Sequence, residues 1–296
     1  MKQVLILSDG RMGHLNQSIA FAKTMKCTYD VVEIKFHSKL SKVLSYILDT
    51  FNIHSKRLFD VSVVKQYDMV IGTGSNTYYA TKVLAKEMHV KSVVMMLPKG
   101  YRLNFDVIFA QSHDIPLRGT NIFEIPANFS YVEPQGIHKP KNKSIGIVIG
   151  GDNKVFTIDI EALKKQLDFI KAYYKDYDIA ITTSPRTPDE IEKLVASYHF
   201  EYEVIFSKNL TNPIPDFLEQ CETVFITGDS TSMISEAISY GKSNVVVLPL
   251  ESKGGSKFTR FINGLEKEGY VHIFDGNIKN KNKKINFLDY TKRLEV

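Results

Sequence analysis

The 296-residue chain is 43% hydrophobic, 24% charged and 11% aromatic, which excludes general disorder and gives length for about two domains. Its two cysteines, Cys27 and Cys221, stand far apart without metal-ligand spacing, so neither a disulfide framework nor a zinc cluster is expected, and a reducing compartment fits. A formal charge of +5, from 38 basic and 33 acidic residues, does not call for nucleic acid but suits an anionic ligand or an acidic membrane surface.

The opening MKQVLILSDG reads as a strand and not as a signal peptide, and no apolar run reaches the roughly 20 residues of a membrane span. The expected location is cytoplasmic, with peripheral contact on the inner face of the plasma membrane as the alternative. Short apolar runs at Val4 to Leu7, Val31 to Phe36, Met69 to Ile71 and Val93 to Leu97 alternate with segments of helical period, beginning with Ser18 to Met25. That alternation predicts parallel sheets covered by helices. Leu40, Val43, Leu44, Ile47, Leu48 and Phe51 recur at helical spacing, and the preferred reading is a helix packed on the sheet. Lys39, Lys42, Lys56 and Arg57 beside them make a helix lying on an anionic bilayer the alternative.

Polar residues with Pro134, Gly136 and Pro140 interrupt the pattern, which restarts at Ile145 to Ile149, Ile179 to Thr182, Val204 to Phe206, Val224 to Thr227 and Asn244 to Leu248. The expected organisation is an α/β domain over 1–131, a linker over 132–143, a second α/β domain over 144–276 and a basic tail over 277–296. Lysines crowd that tail between Lys279 and Lys284. Parallel sheets bind ligands beyond the carboxyl ends of their strands, so two such domains facing a central cleft would carry function in the loops after strands.

The first such loop, Ser8-Asp9-Gly10-Arg11-Met12-Gly13-His14, brings a carboxylate, a guanidinium and an imidazole to one strand end. A plain turn in which Asp9 caps the next helix is the competing reading. Gly72-Thr73-Gly74-Ser75-Asn76-Thr77 lacks the third glycine of a dinucleotide fingerprint, which disfavours a hydride-transfer enzyme but leaves backbone N–H groups for substrate. Gly228-Asp229-Ser230-Thr231-Ser232 opens a helix whose free N–H groups suit a diphosphate, and Glu236 lies further in, where it can accept from the hydroxyls of a ribose. Simple N-capping competes with that reading, and the missing final glycine disfavours a nucleophile elbow. Gly150-Gly151-Asp152-Asn153 and Thr182-Thr183-Ser184-Pro185-Arg186-Thr187-Pro188 add donor-rich loops that suit phosphate or base contacts. Asp176-Tyr177-Asp178 matches a D-x-D metal motif but precedes a strand, and it reads as a solvated turn.

Taken in order, SDGRMGHLNQ, Gln111-Ser112-His113-Asp114, GGDN, TTSPRTP and TGDSTSMISEAISYG resemble the mitochondrial-fission Elm family of glycosyltransferase-like proteins, from about residue 4 to residue 270. The resemblance implies the GT-B architecture of two Rossmann-like domains. It implies a sugar transfer from a nucleotide-activated donor to a cell-surface glycan or lipid-linked acceptor, as in lipopolysaccharide synthesis. Gly13-His14 is similar to the Gly-His of the enzyme that glycosylates the peptidoglycan lipid precursor, and Glu236 to its donor-binding Glu. Asp9 and Arg11 depart from the small residues found there, so donor sugar and acceptor need not be the same. Lys242-Ser243 departs from a common Gly-Pro and bears only on loop shape.

For an inverting transfer, an acceptor hydroxyl must lose a proton while the nucleoside diphosphate leaves with growing negative charge. The expected catalytic group is Asp9, Arg11 and His14, with His14 or Asp9 as base. The expected donor site is Gly151, Asn153, Thr183, Ser184, Arg186, Ser230, Thr231, Ser232, Met233 and Glu236, and the acceptor side is Gly13, Gly74, Ser75, Asn76 and His113. No metal is expected, and no cofactor beyond the nucleotide-sugar donor. A sugar-nucleotide 2-epimerase of the same architecture is the alternative, and a non-catalytic adaptor is the third reading, since plant members are associated with recruiting a dynamin-like protein to mitochondria.

Overall fold

A computed structural model describes residues 1–62, 65–252, 257–279 and 282–292. The chain divides into two compact units, one of Met1–Tyr131 with Asn286–Val296 and one of Val132–Ile285.

In the first unit six parallel strands form one sheet: β1 (Gln3–Ser8), β2 (Thr28–Glu33), β3 (Met69–Gly72), β4 (Lys91–Val94), β5 (Val107–Gln111) and β6 (Ile122–Ile125). Their spatial order is β2-β1-β3-β4-β5-β6. Val4, Leu5 and Ile6 of β1 are fully buried, because a parallel strand covered on both faces has no wet side and reads as an unbroken apolar run. The helices are α1 (Met12–Thr24), α2 (Lys39–Thr50) and α3 (Tyr78–Met88). β2 ends at Glu33, and Lys35–Phe36, expected in the same strand, pair antiparallel with Phe59–Asp60.

The second unit repeats the plan with β7 (Ser144–Val148), β8 (Asp178–Thr182), β9 (Tyr202–Val204), β10 (Thr223–Thr227), β11 (Asn244–Leu248) and β12 (His272–Ile273). Its order is β9-β8-β7-β10-β11-β12, the doubly wound arrangement of a Rossmann sheet. Helices α4 (Ile160–Tyr173), α5 (Asp189–Ala196), α6 (Ile214–Gln220), α7 (Thr231–Ser239) and α8 (Lys257–Lys267) cover it. In each sheet the direction of winding reverses once, between β1 and β3 and between β7 and β10. Ligands gather at the carboxyl ends of strands flanking such a reversal.

The segment read as a linker is fastened to the second unit. The N–H groups of Gln135, Gly136, Ile137 and His138 donate to the carboxylate of Asp216 on α6 at 2.6–3.0 Å. Burial opposes that charge, but the four N–H groups outweigh it and hold Asp216 below the usual carboxylate range. The lysine-rich tail is not wholly solvated. Lys284 turns inward and donates to the carbonyl of Ala237 in the last turn of α7 at 2.6 Å, where burial pushes its ammonium down to about 8. From Asn286 the chain returns to the first unit, where α9 (Leu288–Thr291) follows Phe287, stacked on Phe129. Lys281 and residues 293–296 of that tail lie outside the described residues.

The largest departure is α2. Its apolar side chains were expected against the sheet; Leu48 does pack on the core, yet Leu40, Val43, Leu44, Ile47 and Phe51 are exposed, while Ser45 and Asp49 are buried. Polar contacts hold it in place. Lys42 Nζ and Ser45 Oγ meet the Tyr101 hydroxyl at 2.8 and 2.9 Å, and Asp49 accepts from Lys82 of α3 at 2.6 Å and from the N–H of Arg102 at 2.7 Å. The Asp49–Lys82 pair is buried on both sides, and Lys82 also donates to Asn104 Oδ1 at 2.6 Å, so neither charge is left uncompensated.

Candidate functional site

In the first unit the loops after β1 and β3 meet at the winding reversal. Gly10 turns the chain at φ +80°, and α1 starts at Met12, so Gly13 and His14 belong to its first turn instead of to a loop. This start, ahead of the expected Ser18, brings His14 back over the strand end. His14 Nδ1 lies 3.0 Å from Asp9 Oδ2 and 3.2 Å from Oδ1. The Asp9 side chain is 2% exposed and His14 is 20% exposed. An ionised carboxylate only accepts, so Nδ1 donates to it, and in the neutral form of the ring Nε2 is left as the acceptor. Gly74, at φ +90°, packs against this pair, and a Cβ there would strike the imidazole ring. Ser18 of α1 and Thr73 share a 2.7 Å hydroxyl contact that fixes the helix to the loop after β3.

Lys42 of α2 donates to the Ser75 carbonyl, so the same loop is braced from a second side. Burial pushes the Lys42 ammonium down to about 8, against the opposing pull of the Asp9 charge. Asn76 is partly exposed beside Ser75, and Arg11 is exposed. His113 follows β5, two strands beyond β3, at the same carboxyl edge of the sheet as Asp9.

In the second unit Asp229, immediately after β10, is the hub. Its side chain is fully buried and accepts from Arg186 Nη2 at 2.7 Å, the Gly151 N–H at 3.1 Å and Thr227 Oγ1 at 2.7 Å. Thr227 Oγ1 in turn accepts the Gly150 N–H at 2.7 Å. Gly150 has to be glycine, because a Cβ there would lie inside the Asp229 carboxylate. Three loops, after β7, β8 and β10, are thereby locked together at the reversal of the sheet. Arg186 gives one nitrogen to Asp229 while its side chain stays 44% exposed, so the guanidinium is oriented without being used up.

α7 starts beside this hub. Ser230 caps it by accepting the Met233 N–H at 3.4 Å, which leaves the N–H groups of Thr231 and Ser232, in the first turn, for an acceptor outside the helix. Glu236 is pushed up to about 7 by burial alone.

Two expected ligand donors are used by the fold itself. Asn153 accepts the N–H groups of Val155 and Phe156 at 2.8 and 2.9 Å and donates to the Asp229 carbonyl at 3.2 Å. Thr183 donates to Glu192 at 2.7 Å and accepts from the Phe206 N–H at 2.8 Å. Ser184 shapes its own loop, accepting the Arg186 N–H at 3.3 Å. Asp178 of the D-x-D match clasps Asn142 at the opposite, amino end of the sheet. Asp229 and Lys42 are the anchoring residues that the residue types did not single out. The signal for Asp229 was its place directly after a strand at the winding reversal.

The raised Glu236 gives a signed stability effect. The unfolded carboxyl releases its proton near the ordinary value of 4.5 and the folded one near 7. Between those values the folded state binds more protons, so stability falls as pH rises from 4.5 to 7 and stays lower above. Glu236→Gln removes that loss. Its melting temperature is expected to match the wild type at pH 4 and exceed it at pH 8, as thermal denaturation at the two pH values would show.

Two Rossmann-like units with these winding reversals define a GT-B-type α/β protein. A solved UDP-N-acetylglucosamine 2-epimerase shares the fold at TM-score 0.50 and 14% identity, over 100% of this chain and 87% of that one. The UDP-GlcNAc 2-epimerase of Methanocaldococcus jannaschii does so at TM-score 0.50 and 12% identity, over 100% and 92%. The family model described as Mitochondrial fission ELM1 matches residues 12–294, and the chain belongs to that family. An uncharacterized protein of Rickettsia prowazekii (strain Madrid E) is 24% identical over 93% of this chain and 91% of its own length. Among the described residues no helix is long and apolar enough to cross a membrane.

Proposed function

We propose that the second unit binds the nucleoside diphosphate of a sugar nucleotide and that the protein is a cytoplasmic glycosyltransferase. It would transfer the sugar, with inversion and without a metal or further cofactor, to a cell-envelope glycan or lipid-linked acceptor. The observation that carries the reading is the Asp229 hub, which holds the Arg186 guanidinium near the open first turn of α7. Guanidinium and helix N-terminus both attract a diphosphate and stabilise the charge that grows on it as it leaves. Glu236, raised by desolvation, accepts the two hydroxyls of the ribose, which restores the solvation that burial took from it.

The base belongs to the first unit. His14 Nε2 takes the proton from the acceptor hydroxyl as that oxygen bonds to the anomeric carbon, and the bond from that carbon to the phosphate oxygen breaks with its electron pair staying on the nucleoside diphosphate. Asp9 holds the required tautomer and stabilises the imidazolium. Gly13, Gly74, Ser75 and Asn76 shape the acceptor side.

A thermal-shift panel of UDP, GDP, ADP, dTDP and CMP tests the donor site. At a nucleotide concentration about 100 times its Kd, binding adds about 2.7 kcal/mol of stability. One base is expected to raise the melting temperature of the wild type and to fail with Glu236→Ala. No shift with any nucleotide, in folded protein, would remove the donor reading and favour a non-catalytic adaptor. Donor turnover that needs no acceptor would favour a 2-epimerase.

A further inference from the structure

The inverted helix α2 is preorganised to face something other than water. Leu40, Val43, Leu44, Ile47 and Phe51 fall at helical spacing and are 79%, 55%, 41%, 50% and 70% exposed, and Ile53 beyond the helix is 49% exposed. Soluble proteins seldom leave so continuous an apolar stripe uncovered. Local disorder does not produce it, because Lys42, Ser45 and Asp49 pin the opposite face through Tyr101 and Lys82.

Charge identifies the occupant. Between Lys35 and Arg57 the chain has five basic residues and one acidic residue, Asp49, which is buried against Lys82; Lys35 pairs with Glu33, Lys56 with Glu87, and Lys42 is engaged by Tyr101, which leaves Lys39 and Arg57 for an outside anion. Exposed Lys39 stands in the first turn of α2, where the helix dipole disfavours a cation, and exposed Arg57 is brought back beside the same end, because Lys35–Phe36 pair antiparallel with Phe59–Asp60 and the His37 N–H donates to the Leu58 carbonyl. Lys39 therefore gains nothing from its own helix and is open to an external anion. Cations gathered at one end of an exposed aliphatic and aromatic stripe suit a helix lying in the plane of an anionic bilayer. A second exposed pair, Ile115 at 71% and Leu117 at 75%, follows Asp114, which Lys99 holds at 2.9 Å; neighbouring Gly100 packs on Tyr46 of α2.

We infer that α2 is an interfacial membrane helix, binding anionic phospholipid bilayers through its Leu40–Phe51 stripe with Lys39 and Arg57 on the headgroups. The inference stands on α2 and does not rest on the nucleotide reading. Because Lys42 of the same helix holds the Ser75 carbonyl, the membrane-facing element is tied to the loop that packs on His14.

The test is co-sedimentation of the full chain with phosphatidylcholine vesicles, with and without phosphatidylglycerol. Binding is expected only to the anionic vesicles and to weaken with salt. Ile47→Glu with Phe51→Glu should lower it at least about tenfold while the melting temperature holds, since both side chains are exposed. Lys39→Glu with Arg57→Glu should flatten the salt dependence. The chain has no tryptophan, so Phe51→Trp supplies a single probe whose emission should shift to the blue on anionic vesicles. No binding to anionic vesicles at low salt, or equal binding by the Ile47→Glu, Phe51→Glu variant, would overturn the inference and leave a protein partner for this face. The nucleotide panel would be unaffected by either result.

Discussion

Asp229→Ala is expected to destabilise the second unit by about 3–5 kcal/mol, as read from urea denaturation. The carboxylate is fully buried, and removing it strands the Gly151 N–H and the Thr227 hydroxyl and releases Arg186. A buried donor left without an acceptor loses its water without compensation, and this penalty dominates over the modest value of any one bond. Gly150→Ala should produce a comparable loss by another route, because its Cβ would displace the same carboxylate. Arg186→Met should cost less, since the 44% exposed guanidinium recovers water when unfolded and the two neutral donors to Asp229 stay in place. Equal losses in Asp229→Ala and Arg186→Met would mean that the ion pair, and not the loop clasp, carries the stability.

That hub marks the boundary of what residue types and spacing reveal. The parallel strands were legible because burial on both faces leaves runs such as Val4 to Leu7 and Ile145 to Ile149, which few other structures need. The expectation that sites lie at strand ends followed from topology alone. Pairing was not legible: Asp229 and Arg186 are 43 residues apart, and nothing local tells a carboxylate that caps a helix from one that joins three loops. Asn153 and Thr183 illustrate the converse. They have the side chains of ligand donors, but their loops leave backbone N–H groups that need those same atoms.

Two helices show how local signals fail. α1 begins at Met12 with Arg11 as its cap residue and no side-chain capping bond, and Gly13 in its first turn lowers helix propensity, so the visible signal starts only at Ser18. In α2 the 3.6-residue period correctly predicts two faces but cannot say which one turns inward. The decision is made by Tyr101 and Lys82, which supply polar partners on the body of the unit and draw in Lys42, Ser45 and Asp49.

Under the transferase reading, Asp9→Asn is the most damaging change that preserves shape. Asparagine occupies the same space, so the turn at Gly10 and the packing of Gly74 should persist. Its amide can donate to Nδ1, which makes Nδ1 the acceptor and moves the imidazole proton to Nε2, the atom required to receive the acceptor's proton. In a serine-protease triad the same exchange lowers turnover by about 10⁴, and a loss of that order is expected in release of nucleoside diphosphate from the donor. Nitrogen-15 spectra of the imidazole should show the tautomer exchanged, and the thermal shift given by the nucleotide should be unchanged, because the donor is held by the second unit. If turnover falls while the tautomer does not change, Asp9 itself takes the proton. His14 would then be a positioning residue, and His14→Gln would retain much of the rate.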